Sequence, residues 1–323
     1  MTGKSIILLL YIIICILVLP VLETLNRINL IEFKKETFNQ NISNIFNYWY
    51  EKIEPKNFFH TGQVIKLQPN KVDIIILNHR STFDAAWLVF YLNEMGINNP
   101  IAVLSNYLKK IPGFGLIGKM NNYIFLKKKW LEDKSYIHKQ IKKLTNGIIF
   151  ITIEGTRFNK KKWLKSIKYG QENNIPYYKN LLIPKTKGLN LIIETLLIQN
   201  KLGNIWDGTF YLPEISNHQS GYYDDVKNLK HIWFKTEKID KKELLAGDFR
   251  QNIYKIWDKK DKLLESKFKN EKMKLIPRRN YELNHEILVI VIFIIALIIF
   301  RKLGIEKKVI LGLIVYHIIY LFL

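Results

Sequence analysis

The chain has 323 residues, 48% hydrophobic and 13% aromatic, with 50 Lys and Arg against 28 Asp and Glu for a formal net charge of +22. That apolar content is too high for a disordered polycation, and a lone cysteine, Cys15, excludes a disulfide framework or a cysteine zinc site. The charge surplus favours phosphate-bearing partners: nucleic acid, anionic lipid or a phosphorylated substrate.

Ser5–Leu22 is an uncharged run of 18 residues between Lys4 and Glu23. It comes close to the roughly 20 apolar residues that cross a bilayer. Residues 1–24 therefore read as a membrane anchor. A cleaved signal peptide is the rival, but no small-x-small site follows Leu19-Pro20-Val21-Leu22. In residues 25–60, the aromatics Phe38, Phe46, Tyr48, Trp49 and Tyr50 suit either an interfacial helix or packing against a domain.

From 61 to 240, short β-branched runs alternate with helical stretches. Strands are predicted at Val72–Leu77, Ile101–Leu104, Tyr123–Leu126, Ile148–Ile153, Leu181–Ile183, Ile205–Tyr211 and Ile232–Phe234. Helices are predicted at Phe83–Met95, Asp133–Leu144, Trp163–Glu172 and Leu189–Gln199. The rhythm is that of an α/β domain whose mostly parallel sheet is covered by helices. A long amphipathic helix from Lys241 to about Lys269 and a basic linker occupy 241–280. Ile287–Phe300 and Val309–Leu323, uncharged for 14 and 15 residues, predict a C-terminal membrane hairpin over 281–323. The Lys-rich runs 127–129, 160–162 and 259–262 read as solvated faces.

The apolar strand Val72–Leu77 ends at Asn78-His79-Arg80-Ser81-Thr82-Phe83-Asp84. Side chains at the carboxyl end of such a strand project toward the ligand crevice of an α/β fold, which places His79 where a base is useful. Asp84, in the first turn of the next helix, can accept one imidazole N–H and leave the other ring nitrogen free to take a proton. Ser81-x-x-Asp84 is equally a capping-box pattern, in which Asp84 only binds backbone. A second strand ends at Glu154-Gly155-Thr156-Arg157-Phe158. Glycine permits close approach of a ligand there, and Arg offers a planar fork for phosphate oxygens. With 43 Lys and only 7 Arg in the chain, an Arg at that turn points to fork geometry; a β-turn with a surface Arg is the plainer alternative.

Asn78–Asp84 resembles the N-H-x-S-x-x-D block of the glycerolipid acyltransferases that act on 1-acylglycerol-3-phosphate and related lysophospholipids. Phe150-x-x-x-Glu154-Gly155-Thr156-Arg157-Phe158 is similar to that family's F-x-x-x-E-G-T-R block. Ile111-Pro112-Gly113-Phe114-Gly115 with Tyr123–Lys128, Leu182–Gly188 and Ile205–Thr209 resemble its other segments, and the hydrophobic tail resembles the long-chain, eukaryotic-type branch. The chain departs from the pattern at Ile153, where Pro is usual, and at Lys128 and Lys185, where Arg is frequent.

The resemblance implies direct acyl transfer from acyl-CoA, as co-substrate and with no bound cofactor or metal, to the sn-2 hydroxyl of 1-acylglycerol-3-phosphate. His79 would be the base, Asp84 its orienting partner, and Glu154, Gly155, Thr156, Arg157, Lys128 and Pro184 the substrate-binding set. Other acceptors, lysophosphatidylinositol or lysocardiolipin, remain open, as does a non-catalytic basic membrane-tethered binding protein. Nucleic acid is not expected as a partner, because the lysines are spread through the chain and no nucleic-acid-binding signature is present. The implied location is the endoplasmic reticulum or a related internal membrane.

Overall fold

A computed structural model describes residues 57–98, 100–110, 121–215 and 229–276, with Gly115 and Gly118 as single positions. The expected anchor, most of the expected interfacial segment and the expected C-terminal hairpin lie outside the described residues. Apart from Lys110 and Gly115, the described residues belong to one compact unit, Glu54–Lys109 with Gly118–Arg279. Among the described residues no helix is long and apolar enough to cross a membrane.

The elements in chain order are β1 (Asn57–Gly62), β2 (Val72–Leu77), α1 (Asp84–Glu94), β3 (Ile101–Ser105), a 3-10 turn (Asn106–Lys110), β4 (Ile124–Leu126), α2 (Trp130–Lys142), β5 (Gly147–Thr152), α3 (Lys160–Glu172), α4 (Thr186–Ile198), β6 (Leu202–Tyr211), β7 (His231–Ile239), α5 (Lys241–Leu245), α6 (Phe249–Glu265) and β8 (Lys274–Leu275). The strands form one sheet ordered β4-β3-β5-β2-β6-β7-β1-β8. Pairing is parallel from β4 through β6 and between β1 and β7; β6–β7 and β1–β8 are antiparallel.

The central strand, β2, is buried at every residue, as an apolar strand covered on both faces must be. Side chains alternate between the faces. Ile74 and Ile76 join Ile149 and Ile151 of β5, where Ile137 and Ile141 of α2, Ile192, Ile193 and Leu196 of α4, and Ile253 and Trp257 of α6 complete a mainly aliphatic core. Phe58, Phe210 and Phe234 instead meet Trp87 and Tyr91 of α1 in an aromatic cluster, with Phe210 and Phe234 stacked at 4.3 Å.

Several expectations need correction. Leu181–Ile183 is not a strand: the Leu182 N–H is donated to the Glu154 carboxylate and the Ile183 N–H to Ser166 Oγ, so this extended strap pairs with side chains. The expected single helix from Lys241 to Lys269 is two, α5 and α6, parted at Gly247, whose φ of +64° a helix cannot accommodate. The sheet also begins earlier than residue 61, because β1 pairs in register with β7 from Asn57 to Gly62.

Candidate functional site

β2 leaves the sheet at Asn78, whose side chain replaces a backbone unit. Its Nδ2 donates to the Phe210 carbonyl at 2.9 Å, and its Oδ1 accepts the Phe210 N–H at 2.8 Å. The chain is thereby free to turn, and His79 emerges at the strand end. His79 Nδ1 lies 2.9 Å from Asp84 Oδ2; the imidazole side chain is 25% exposed and the carboxylate 1%. The same oxygen accepts the N–H groups of Arg80 (2.8 Å) and Ser81 (2.9 Å), and Ser81 Oγ accepts the Phe83 N–H. Backbone contacts and the imidazole contact therefore coexist on one carboxylate, while the N-cap residue of the helix, Phe83, makes no side-chain capping hydrogen bond. With Asp84 ionised, Nδ1 carries the proton and Nε2 keeps its lone pair.

β5 ends beside it. Glu154 is buried, and its two oxygens accept the backbone N–H groups of His79 (3.0 Å) and Leu182 (3.1 Å). Burial pushes its carboxyl up to about 7, against those two donors, His79 and the Arg80 guanidinium, all of which favour the charged form. Glu154 thus holds three segments together, with each of its oxygens accepting a backbone N–H. Phe158 N donates to the His79 carbonyl at 2.8 Å, and Arg80 lies over the Phe158 ring at 4.6 Å. Arg157 Nη1 reaches Thr82 Oγ1. The imidazole and the guanidinium, 78 positions apart in sequence, are consequently anchored to the same pair of turns.

Cations gather around the 154–157 turn. Lys128 Nζ donates to the Gly155 carbonyl at 3.2 Å. Lys128 holds φ at +65°, a conformation that costs a residue other than glycine; Asp133 brackets it by accepting the N–H groups of Lys127 and Lys129 at 2.8 and 3.1 Å. Gly155, at φ +68°, has no Cβ, and a Cβ there would stand 3.1 Å from Cδ of Lys185. Asn159 caps α3 by accepting the Lys162 N–H at 2.9 Å. That cap turns Lys162 back, so its Nζ donates to Thr156 Oγ1 and to the Arg157 carbonyl. Burial lowers the pKa of Lys162, and so does repulsion from Arg157, Lys128 and Lys185. Four like charges held this close form a ready cradle for a phosphate.

Of the expected site residues, His79, Asp84, Gly155, Thr156, Arg157 and Lys128 are joined by these contacts. Pro184 is buried in the strap and its ring fixes that segment; the exposed residue at the site is its neighbour Lys185, whose N–H binds the Ile153 carbonyl at 2.7 Å. Sequence reasoning omitted Lys162 and took its run for a solvated face. The available signal was Asn159, three residues ahead, as an N-cap. Among the described residues, no group of three or more His, Cys, Asp or Glu is arranged to hold a metal. A separate cleft lined by Asp207, Thr209, Lys235, Glu237, Lys259 and Lys260 shares no residue with the His79 group.

Residues 60–177 match the family model described as Acyltransferase. The chain is 24% identical over 221 residues to lysocardiolipin acyltransferase 1 of Mus musculus, covering 63% of this chain and 56% of that protein. It is 27% identical over 150 residues to 1-acyl-sn-glycerol-3-phosphate acyltransferase 2 of Arabidopsis thaliana, covering 44% and 38%. The chain thus spans about half the length of these relatives. A solved structure, the 1-acyl-sn-glycerophosphate (LPA) acyltransferase PlsC of Thermotoga maritima, superposes with a TM-score of 0.49 at 15% identity, covering 82% of this chain and 97% of that one.

Proposed function

We infer that the chain belongs to the glycerolipid acyltransferase family, and on that premise we propose that it moves a fatty acyl chain from acyl-CoA to the sn-2 hydroxyl of 1-acylglycerol-3-phosphate, giving phosphatidic acid. Nε2 of His79 takes the hydroxyl proton as the oxygen attacks the thioester carbonyl. The C–S bond breaks, and the imidazolium returns its proton to the departing CoA thiolate. Asp84, buried and hydrogen-bonded to Nδ1, fixes the ring and stabilises its charged form. Arg157, Lys162, Lys128 and Lys185 hold the acceptor phosphate, and its binding offsets the repulsion that depresses Lys162.

One observation carries this reading. A partly exposed imidazole with an occupied Nδ1 sits on the turn that Arg157 and the Glu154 carboxylate tie to a cationic loop. General-base action contributes about 10²–10⁴ in rate. We expect His79→Ala to lower acyl transfer by that factor while its thermal unfolding matches wild type; full activity in a folded His79→Ala protein sinks the mechanism. Another lysophospholipid as acceptor is the second reading, favoured by the match to lysocardiolipin acyltransferases. A panel of lysolipids, each with acyl-CoA and free-CoA readout, separates the two. Membrane attachment through residues 1–24 and 281–323, at the endoplasmic reticulum or a related internal membrane, belongs to the same proposal.

A further inference from the structure

β3, β4 and β5 run parallel to β2, so all four end at the edge that carries His79. Three of them lead into apolar side chains that nothing covers among the described residues. Tyr107, after β3, is 72% exposed; Trp130 and Leu131, after β4, are 39% and 87% exposed. Leu164, on α3 after β5, is exposed as well. Trp130 is the one exposed tryptophan among the described residues. Leu131 adds nothing to the packing of α2, whose buried residues are Asp133, Ile137 and Ile141. Around these side chains stand the exposed lysines Lys109, Lys129, Lys134, Lys160 and Lys161, with Glu132 engaging only Lys127 and Lys129.

We propose that this rim is a membrane-contact surface, in which Tyr107, Trp130 and Leu131 enter the interfacial layer of a bilayer bearing anionic headgroups and the lysines meet its phosphates. Aromatic rings with one polar atom settle at the headgroup boundary, and basic residues are drawn to an anionic leaflet. Leucine has no ring on which a nucleobase could stack, which favours lipid over nucleic acid as the partner. The surface deepens the proposed function, on which it rests for a lipid acceptor, by bringing the membrane to the edge where His79 opens.

The test uses the full chain carrying Cys15→Ser and one new cysteine, Leu131→Cys or Ile198→Cys, labelled with a fluorophore and reconstituted into vesicles of phosphatidylcholine and phosphatidylserine. Ile198 is 80% exposed at the end of α4, on the edge where β6 begins, and is the matched apolar control. Lipids brominated near the glycerol end should quench the label at 131 several-fold more than the label at 198. Equal quenching overturns the proposal; so does a label at 131 shielded from aqueous iodide yet untouched by lipid, which would mean that protein covers it. Neither reading requires turnover, so an inactive preparation leaves the outcome decisive for the surface and bears separately on the chemistry. Trp130→Ala with Leu131→Ser should cut transfer to a long-chain lysolipid in vesicles about tenfold and spare a water-soluble short-chain acceptor. Equal loss on both acceptors overturns the proposal.

Discussion

Charges are buried in two regions of this sheet, and they do different work. At the ends of β2 and β5, Asp84, Glu154 and Arg80 are buried around an imidazole that remains partly open. Across β6 and α6, the Lys260 side chain is 0% exposed, 2.7 Å from Asp207 Oδ1 and 2.7 Å from the Gly208 carbonyl, and over the Trp257 ring at 4.7 Å. In the first region the buried charges position an imidazole at a surface. In the second they close on each other and fasten a helix to a strand. Burial of charge alone therefore does not mark a site; a buried network with one exposed end does.

The difference can be broken most forcefully at Lys260. Lys260→Met leaves Asp207, whose side chain is only 14% exposed, without this cation, a loss of about 3 kcal/mol. Denaturant unfolding should register it while residual folded protein keeps its acyl-transfer rate; adding Asp207→Asn should recover part of the stability. A fall in turnover at unchanged stability would place Lys260 with the catalytic group and erase the distinction.

His60 offers the next largest effect, again on the closed side. It packs against Tyr91 and Thr236, with Nε2 2.7 Å from Thr236 Oγ1, and burial lowers its pKa from 6.5 to about 4. The unfolded chain binds this proton more readily than the folded one. Its contribution to stability is therefore present above pH 6.5 and lost as pH falls toward 4, up to about 3 kcal/mol. A His60→Gln variant should show a flatter unfolding midpoint across that window. An equally steep loss in the variant would assign the acid sensitivity elsewhere.

Arg157→Lys is the smallest and sharpest test, because it keeps the charge and removes the fork. We expect about a tenfold rise in KM for a phosphate-bearing acceptor, with kcat nearly unchanged. An unchanged KM would mean that net charge alone serves that loop.

Where the sequence was legible, a local pattern carried the information. β2 is one apolar run with a sharp end, and both strand-end turns announced themselves by residue types that bind ligands and seldom build cores. β1 was not legible, because Asn57–Gly62 owes its strand state to β7, some 170 residues away in the register of Phe58 with Ile232. The 181–183 strap has strand composition, yet its partners are the carboxylate of Glu154 and a serine hydroxyl, and no periodicity encodes that choice. In the lysine runs, Lys260 and Lys162 look identical to their neighbours; only helix phase and the Asn159 cap turn one lysine of each run inward.

Asn78 has a consequence for motion. Because its carboxamide stands in for a peptide group opposite Phe210, the backbone changes direction without an unpaired rung and without a hinge. The imidazole proposed as proton acceptor is mounted at the end of a strand buried at every residue, so its aim is inherited from the scaffold and need not be found anew with each substrate. Adaptation to acceptors of different size then falls to the mobile tips of lysine side chains around it.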